Sequence, residues 1–81
     1  MENDIDMNRQ FGTVIFFSKT LSFGFILPDG GELGKSDLFF HFSALQMPGY
    51  RTTDPNDRVS FDVGTNHKGP CAVNIVIERK A

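Results

Sequence analysis

Apolar and polar positions along the chain change places in short bursts, and no window keeps a 3.6-residue period over the length of a helix. Residues 11–18, FGTVIFFS, are rich in β-branched and aromatic side chains and predict a strand. A turn over 19–22 leads to a second strand at 22–27, closed by the turn signal Pro28-Asp29-Gly30-Gly31. Residues 37–42, DLFFHF, predict a third strand, and 43–46 predict one short helical or 3₁₀ turn with Ser43 as its cap. A loop over 48–57 follows. Residues 58–63, RVSFDV, then alternate cleanly, with Val59, Phe61 and Val63 facing inward and Ser60 and Asp62 outward. After a loop at 64–70, residues 71–78 predict a fifth strand with Val73, Ile75 and Ile77 on one side. Five short strands punctuated by Gly and Pro imply a small all-β barrel, because closure removes the edges an open five-stranded sheet would expose.

Side chains two apart on a strand share a face. Phe23 and Phe25 therefore point one way, as do Phe39 and His41, while Ile26, Leu38 and Phe40 alternate with them and are available to fill the barrel. Gly24, between two of the rings, suits a close backbone approach or a bulge. The chain has nine Phe and one Tyr but no Trp in 81 residues, more rings than one small core readily hides. An outward-facing set of rings is costly in water and points to a binding patch.

The length allows one domain, read as residues 11–79 behind a mobile polar tail at 1–10. The formal net charge of −2 argues against a nucleic-acid partner if taken as a sum. Its distribution changes that picture. Glu2, Asp4 and Asp6 fall in the tail, and Asp54 and Asp57 in the long loop, where both read as plain solvated surface. Lys19, Arg51 and Lys68 fall near the rim of the aromatic face, and no acid is expected at its centre.

The single Cys, at 71, excludes an intrachain disulfide and a cluster of Cys zinc ligands; it reads as a small strand residue in a reducing, cytoplasmic setting. The first residues have neither the basic region nor the apolar run of a signal peptide, and no stretch approaches the ~20 apolar residues of a membrane span. His41 and His67 are the only histidines, and no nucleophile elbow, paired-carboxylate signature or metal-ligand cluster appears. GELGKS looks like the end of a phosphate-binding loop, but residue 29 is Asp where that loop needs Gly, and a strand follows where it needs a helix. The expectation is therefore a binding protein and not an enzyme, with no cofactor, no metal and no small-molecule substrate.

SFGFIL followed by DLFFHF resembles the paired ribonucleoprotein motifs, in the order RNP1 then RNP2 and without the two helices that an RNA recognition motif requires. The chain resembles the cold-shock domain family along nearly its whole ordered length, through Gly12-Thr13-Val14, Phe16-Phe17, Phe23-Gly24-Phe25-Ile26, Pro28-Asp29, Phe39, His41-Phe42-Ser43-Ala44, Gln46, Gly49-Tyr50-Arg51-Thr52, Val59-Ser60-Phe61-Asp62-Val63, Lys68-Gly69-Pro70, Ala72 and Asn74. The resemblance implies a five-stranded antiparallel OB-type Greek-key barrel. It implies a partner too: single-stranded RNA and DNA, with a mild pyrimidine preference, held by Phe16, Phe17, Phe23, Phe25, Phe39, His41, Phe42 and Tyr50, with Lys19, Arg51 and Lys68 near the phosphates. The implied role is that of an RNA chaperone that disfavours RNA secondary structure and regulates transcription or translation as a monomer or weak dimer. The chain departs from the family's usual pattern at Leu21-Ser22, where Lys-Gly is usual, at Ile15, often Lys, and in a 30–36 loop about three residues longer. Those apolar replacements and the acidic balance favour the alternative, a barrel that docks a peptide or a second copy through the same face.

Overall fold

The computed structural model describes residues 9–81; residues 1–8 of the expected tail lie outside the described residues. Five strands follow in order: β1 (Gln10–Ser18), β2 (Phe23–Pro28), β3 (Leu38–His41), β4 (Arg58–Asn66) and β5 (Gly69–Arg79), with a 3₁₀ turn at Phe42–Ala44 after β3. They close into a barrel in the order β1-β2-β3-β5-β4. Neighbouring strands are antiparallel except β3 and β5. Those two run parallel and meet at Phe39 opposite Cys71, extended by a bridge from Leu45 to Ile75. This is the all-β barrel that the hydrophobic pattern implies. Polarity alone assigns Gln10 to the tail, yet it opens β1 opposite Phe61.

The core is built from Val14, Ile26, Phe40, Leu45, Val59, Phe61, Ala72 and Ile75, with Phe17, Leu38, Ala44, Met47 and Ile77 packed around it. Leu45 joins this core from beyond β3: its N–H donates to the Phe42 carbonyl, and the following Gln46 N–H donates to the Ile75 carbonyl, so the segment after the 3₁₀ turn is held against β5. The cap of that turn is His41, whose Nδ1 accepts from the Ser43 N–H at 3.3 Å; Ser43, expected as the cap, is one of the turn's own residues.

Bulges decide which side chains reach the surface. On β1, Val14 pairs with Ile26 and Phe16 with Phe25, so Ile15 is the extra residue. Strict alternation would put Phe16 on the same side as the buried Val14; the bulge turns Phe16 outward and returns Phe17 to the core side. On β5, Ser60 pairs with Val76 and Asp62 with Val73, leaving one extra residue at Asn74–Ile75, with Asn74 at φ 51°. The expected stripe of Val73, Ile75 and Ile77 is broken there. Ile75 and Ile77 stay with the core, but Val73 shares the outer side with Asp62. Val63, expected inward, is 45% exposed, because β4 runs beyond Phe61, where its pairing with β1 stops. Ser60 does face outward, but Arg9 and Glu78 bond to its hydroxyl and cover it.

Two loops also differ from expectation. The 64–70 loop is mostly strand: β4 and β5 pair out to Asn66 opposite Gly69, leaving only His67 and Lys68 at the hairpin tip. Asp57 is not solvated surface. Its side chain is fully buried, and its carboxylate accepts from Thr53 Oγ1, the Asp54 N–H, Lys80 Nζ and the Ala81 N–H at 2.7–3.0 Å. Burial alone would push this carboxyl up; the hydrogen bonds to its charged form outweigh that and hold it at about 2.

Candidate nucleic-acid interface

The outer surface of β1, β2 and β3 carries the aromatic residues, and the strand register brings them together. Phe16 lies opposite Phe25, Phe25 opposite Phe39, and Phe23 opposite His41. Cross-strand partners on one face stand close enough to touch. The Phe23 ring is the hub, with centroids 6.3 Å from Phe16, 6.1 Å from Phe25 and 5.6 Å from Phe39, and Phe25 and Phe39 are 6.1 Å apart. Several of these contacts are edge-to-face, which leaves ring faces directed away from the neighbour. Phe23, Phe25 and Phe39 are half-buried, while Phe16 and His41 are exposed.

Gly24 makes this density possible. A Cβ there would collide with the Phe16 carbonyl oxygen and lie 2.9 Å from the Phe40 ring. Only a residue without a side chain lets Phe23 and Phe25 flank it while β1 passes this close.

Phe17 is divided between the core and the surface. Its ring stacks on the buried Phe40 at 5.7 Å, nearly parallel, yet it also lines a surface hollow of about 260 Å³ with Lys19, Ser22, Phe42, Tyr50 and Arg51. Tyr50, 73% exposed, is more open than Phe16 or Phe42. His41 leans on Phe42, with ring centroids 4.8 Å apart. Its Nδ1 is held by Ser43, 2.9 Å from the hydroxyl oxygen and 3.3 Å from the backbone nitrogen.

At the other end, a cleft of about 570 Å³ runs between the rings and the β4–β5 hairpin, lined by Phe23, Phe25, Asp37, Phe39, Asn66, Lys68 and Pro70. A third hollow of about 300 Å³ continues from it along the β3–β5 seam, past His41, Gln46, Cys71 and Asn74. Cations therefore stand at both ends of the aromatic row, Lys19 and Arg51 at one and Lys68 at the other. Against expectation, an acid also faces the row: Asp37 lines the cleft, and its Oδ1 accepts from the Gly34 N–H of the long 30–36 loop. Asn66 carries no local signal of its own, and Gln46 and Pro70 stand out only as members of the cold-shock-like series of residues. Only hairpin pairing and barrel closure bring them to the rings.

Leu21, in place of the usual lysine, is 63% exposed. Ser22, in place of the usual glycine, has φ 65°, a left-handed conformation that costs an ordinary residue about 1–2 kcal/mol.

A closed five-stranded barrel with an uncovered aromatic face between cations defines a class, the OB-type barrels. Within that class, a family model for the 'Cold-shock' DNA-binding domain matches residues 10–78. The chain is 41% identical to a cold shock protein of Arthrobacter globiformis, over 82% of this chain and 94% of that protein. It is 39% identical to the cold shock-like protein CspE of Escherichia coli K12, over 86% of this chain and 97% of that one, and 39% identical to CspG of the same strain, over 85% and 94%. Among solved structures it is similar to Drosophila Unr CSD456, with a TM-score of 0.70 and 25% identity, over 95% of this chain and 31% of that one. The chain belongs to the cold-shock domain family, a family of nucleic-acid-binding barrels. No helix among the described residues is long and apolar enough to cross a membrane.

Proposed function

We propose that this protein binds unpaired RNA and DNA by stacking bases on Phe16, Phe23, Phe25, Phe39, His41, Phe42 and Tyr50, and that it acts as an RNA chaperone. The observation that carries the reading is the continuous row of rings, in contact across three strands and open on its outer side. Every base has a π-face, and stacking contributes about 1–3 kcal/mol per base. Four stacked bases give a gross gain of about 4–12 kcal/mol before ordering costs. A duplex step is worth about 1.4 kcal/mol, so binding offsets the opening of a few base pairs but not of a long hairpin. No nucleotide hydrolysis is needed, because mass action on the single strand does the work. Sequence preference is mild and favours pyrimidines, as in similar proteins. The protein works in the cytoplasm as a monomer or weak dimer, influencing transcription or translation.

The test is a titration of labelled oligothymidine followed by fluorescence anisotropy, with a duplex of matched length as competitor. Saturable binding that the duplex does not compete away supports the reading. With two or three phosphates neutralised by Lys19, Arg51 and Lys68, the log–log salt slope is expected to be roughly −1.5 to −2. A slope near about −5 would mean that many more cations meet the backbone than the rim carries. A second reading has one observation in its favour, the exposed Leu21 beside the rings: a peptide or a second copy docks on the same face. Concentration-dependent dimerisation without oligothymidine binding at low salt would establish it.

A further inference from the structure

Lys80 and Ala81, just past the end of β5, fold across the 53–57 loop. Lys80 Nζ donates to Asp57 Oδ2 at 2.7 Å and to Asp54 Oδ2 at 3.2 Å, and the Ala81 N–H donates to Asp57 Oδ1 at 2.8 Å. On its other side, Asp54 Oδ1 lies 3.9 Å from Lys19 Nζ, the cation that lines the hollow beside Phe17 and Tyr50. The same loop grips β1 at the bulge. The Val14 N–H donates to the Asp57 carbonyl at 2.9 Å, and the Asn56 N–H to the Val14 carbonyl at 2.7 Å. That bulge is what turns Phe16 outward. One charged cluster therefore touches both the backbone that aims the first ring and the cation next to it.

We propose that Lys80 is a positioning residue for the interface: it competes with Lys19 for the shared Asp54 carboxylate, leaving that lysine more available to a backbone phosphate, and it adds a bond to the buried Asp57 beside the β1 bulge. The consequence for binding rests on the function proposed above; the charge routing does not. Asp54, Lys19 and Lys80 are each more than half exposed, so their pairing is weak and easily redistributed, whereas Asp57 is buried and stays in place. Without Lys80, Lys19 is the one cation among the described residues within salt-bridge distance of Asp54, and a phosphate must displace the carboxylate to reach it.

The experiment uses the full chain and the variants K80A, K80R, D54N and K80A/D54N. Lys19 acylation by acetic anhydride is followed by peptide mass mapping, oligothymidine binding is measured at two salt concentrations, and stability is measured by denaturant unfolding. K80A is expected to slow Lys19 acylation and to weaken oligothymidine binding, each by about two- to fivefold, the scale of one exposed ion pair. K80R restores both. K80A/D54N recovers binding while remaining less stable than the native chain, a separation that a purely structural role of Lys80 does not produce. Unchanged Lys19 acylation in K80A overturns the proposal, as does a binding loss that D54N fails to reverse. If the native chain does not bind oligothymidine at all, the function proposed above fails, and the acylation result alone decides the role of Lys80.

Discussion

The barrel has two outer surfaces on which single apolar residues are similarly exposed but which differ in character. On the β1–β4–β5 side, Phe11 is 49% exposed and Val76 38%, little different from Phe16 at 45% on the β1–β2–β3 side. What differs is what lies between them. Behind Phe11 and Val76, Arg9 donates to the Asn74 carbonyl at 2.7 Å and to Ser60 Oγ at 2.8 Å, and Ser60 donates to Glu78 Oε2 at 2.6 Å. Asn74 donates to Asp62 Oδ2 at 3.0 Å, and Arg9 pairs with that same oxygen at 3.3 Å. This surface partners its polar groups with one another and keeps its apolar residues apart. On the other surface the rings touch each other, and among the described residues no polar lattice covers them. Exposure of single residues is therefore a poor sign of function; contiguity without a cover is the informative feature.

The largest expected effect breaks the comparison at its base. G24A forces β1 and the Phe40 ring apart and should cost about 3 kcal/mol or unfold the protein, as measured by denaturant midpoint. Next come F25A and F39A. Each should weaken oligothymidine binding by about 1–3 kcal/mol while the fold persists; unfolding of either variant would assign that ring to the core. On the opposite surface, S60A leaves Arg9 and Glu78 without their shared hydroxyl and should cost about 1 kcal/mol of stability with no change in oligothymidine affinity. A binding loss there would erase the distinction between the two sides.

A fourth prediction concerns the loop between the surfaces. The Asp57 carboxyl sits at about 2, below its ordinary 3.8, so its contribution to stability is complete above about pH 4 and is lost as the pH falls towards 2. An acid titration of the unfolding midpoint should show that loss, and D57N should flatten it. The smallest effect is expected from S22G, which relieves a left-handed serine at the edge of the aromatic surface and should stabilise by about 0.5 kcal/mol.

Much of this molecule was legible in its residue order. Alternation in FGFI and LFFH separates rings that face out from side chains that fill the barrel, because a strand's two-residue period is a local property. Turn signals at Pro28-Asp29-Gly30 mark where that strand stops, for the same local reason. The ribonucleoprotein-like pair of motifs and the residues in order around it gave the family. What lay beyond the sequence involves a partner strand. Ile15, Asn74 and the half-exposed Val63 carry no local mark of a bulge or of a strand outrunning its neighbour, because a bulge exists only relative to the register opposite. Asp57 reads as an ordinary loop acid until Thr53 from its own loop and Lys80 and Ala81 from beyond β5 converge on it. Asp37, Asn66 and Lys68 share one cleft only because the barrel closes. A strand's period is set by the bonds along its own backbone, but register, burial of charge and the meeting of distant loops are set by closure, and those were decided in three dimensions.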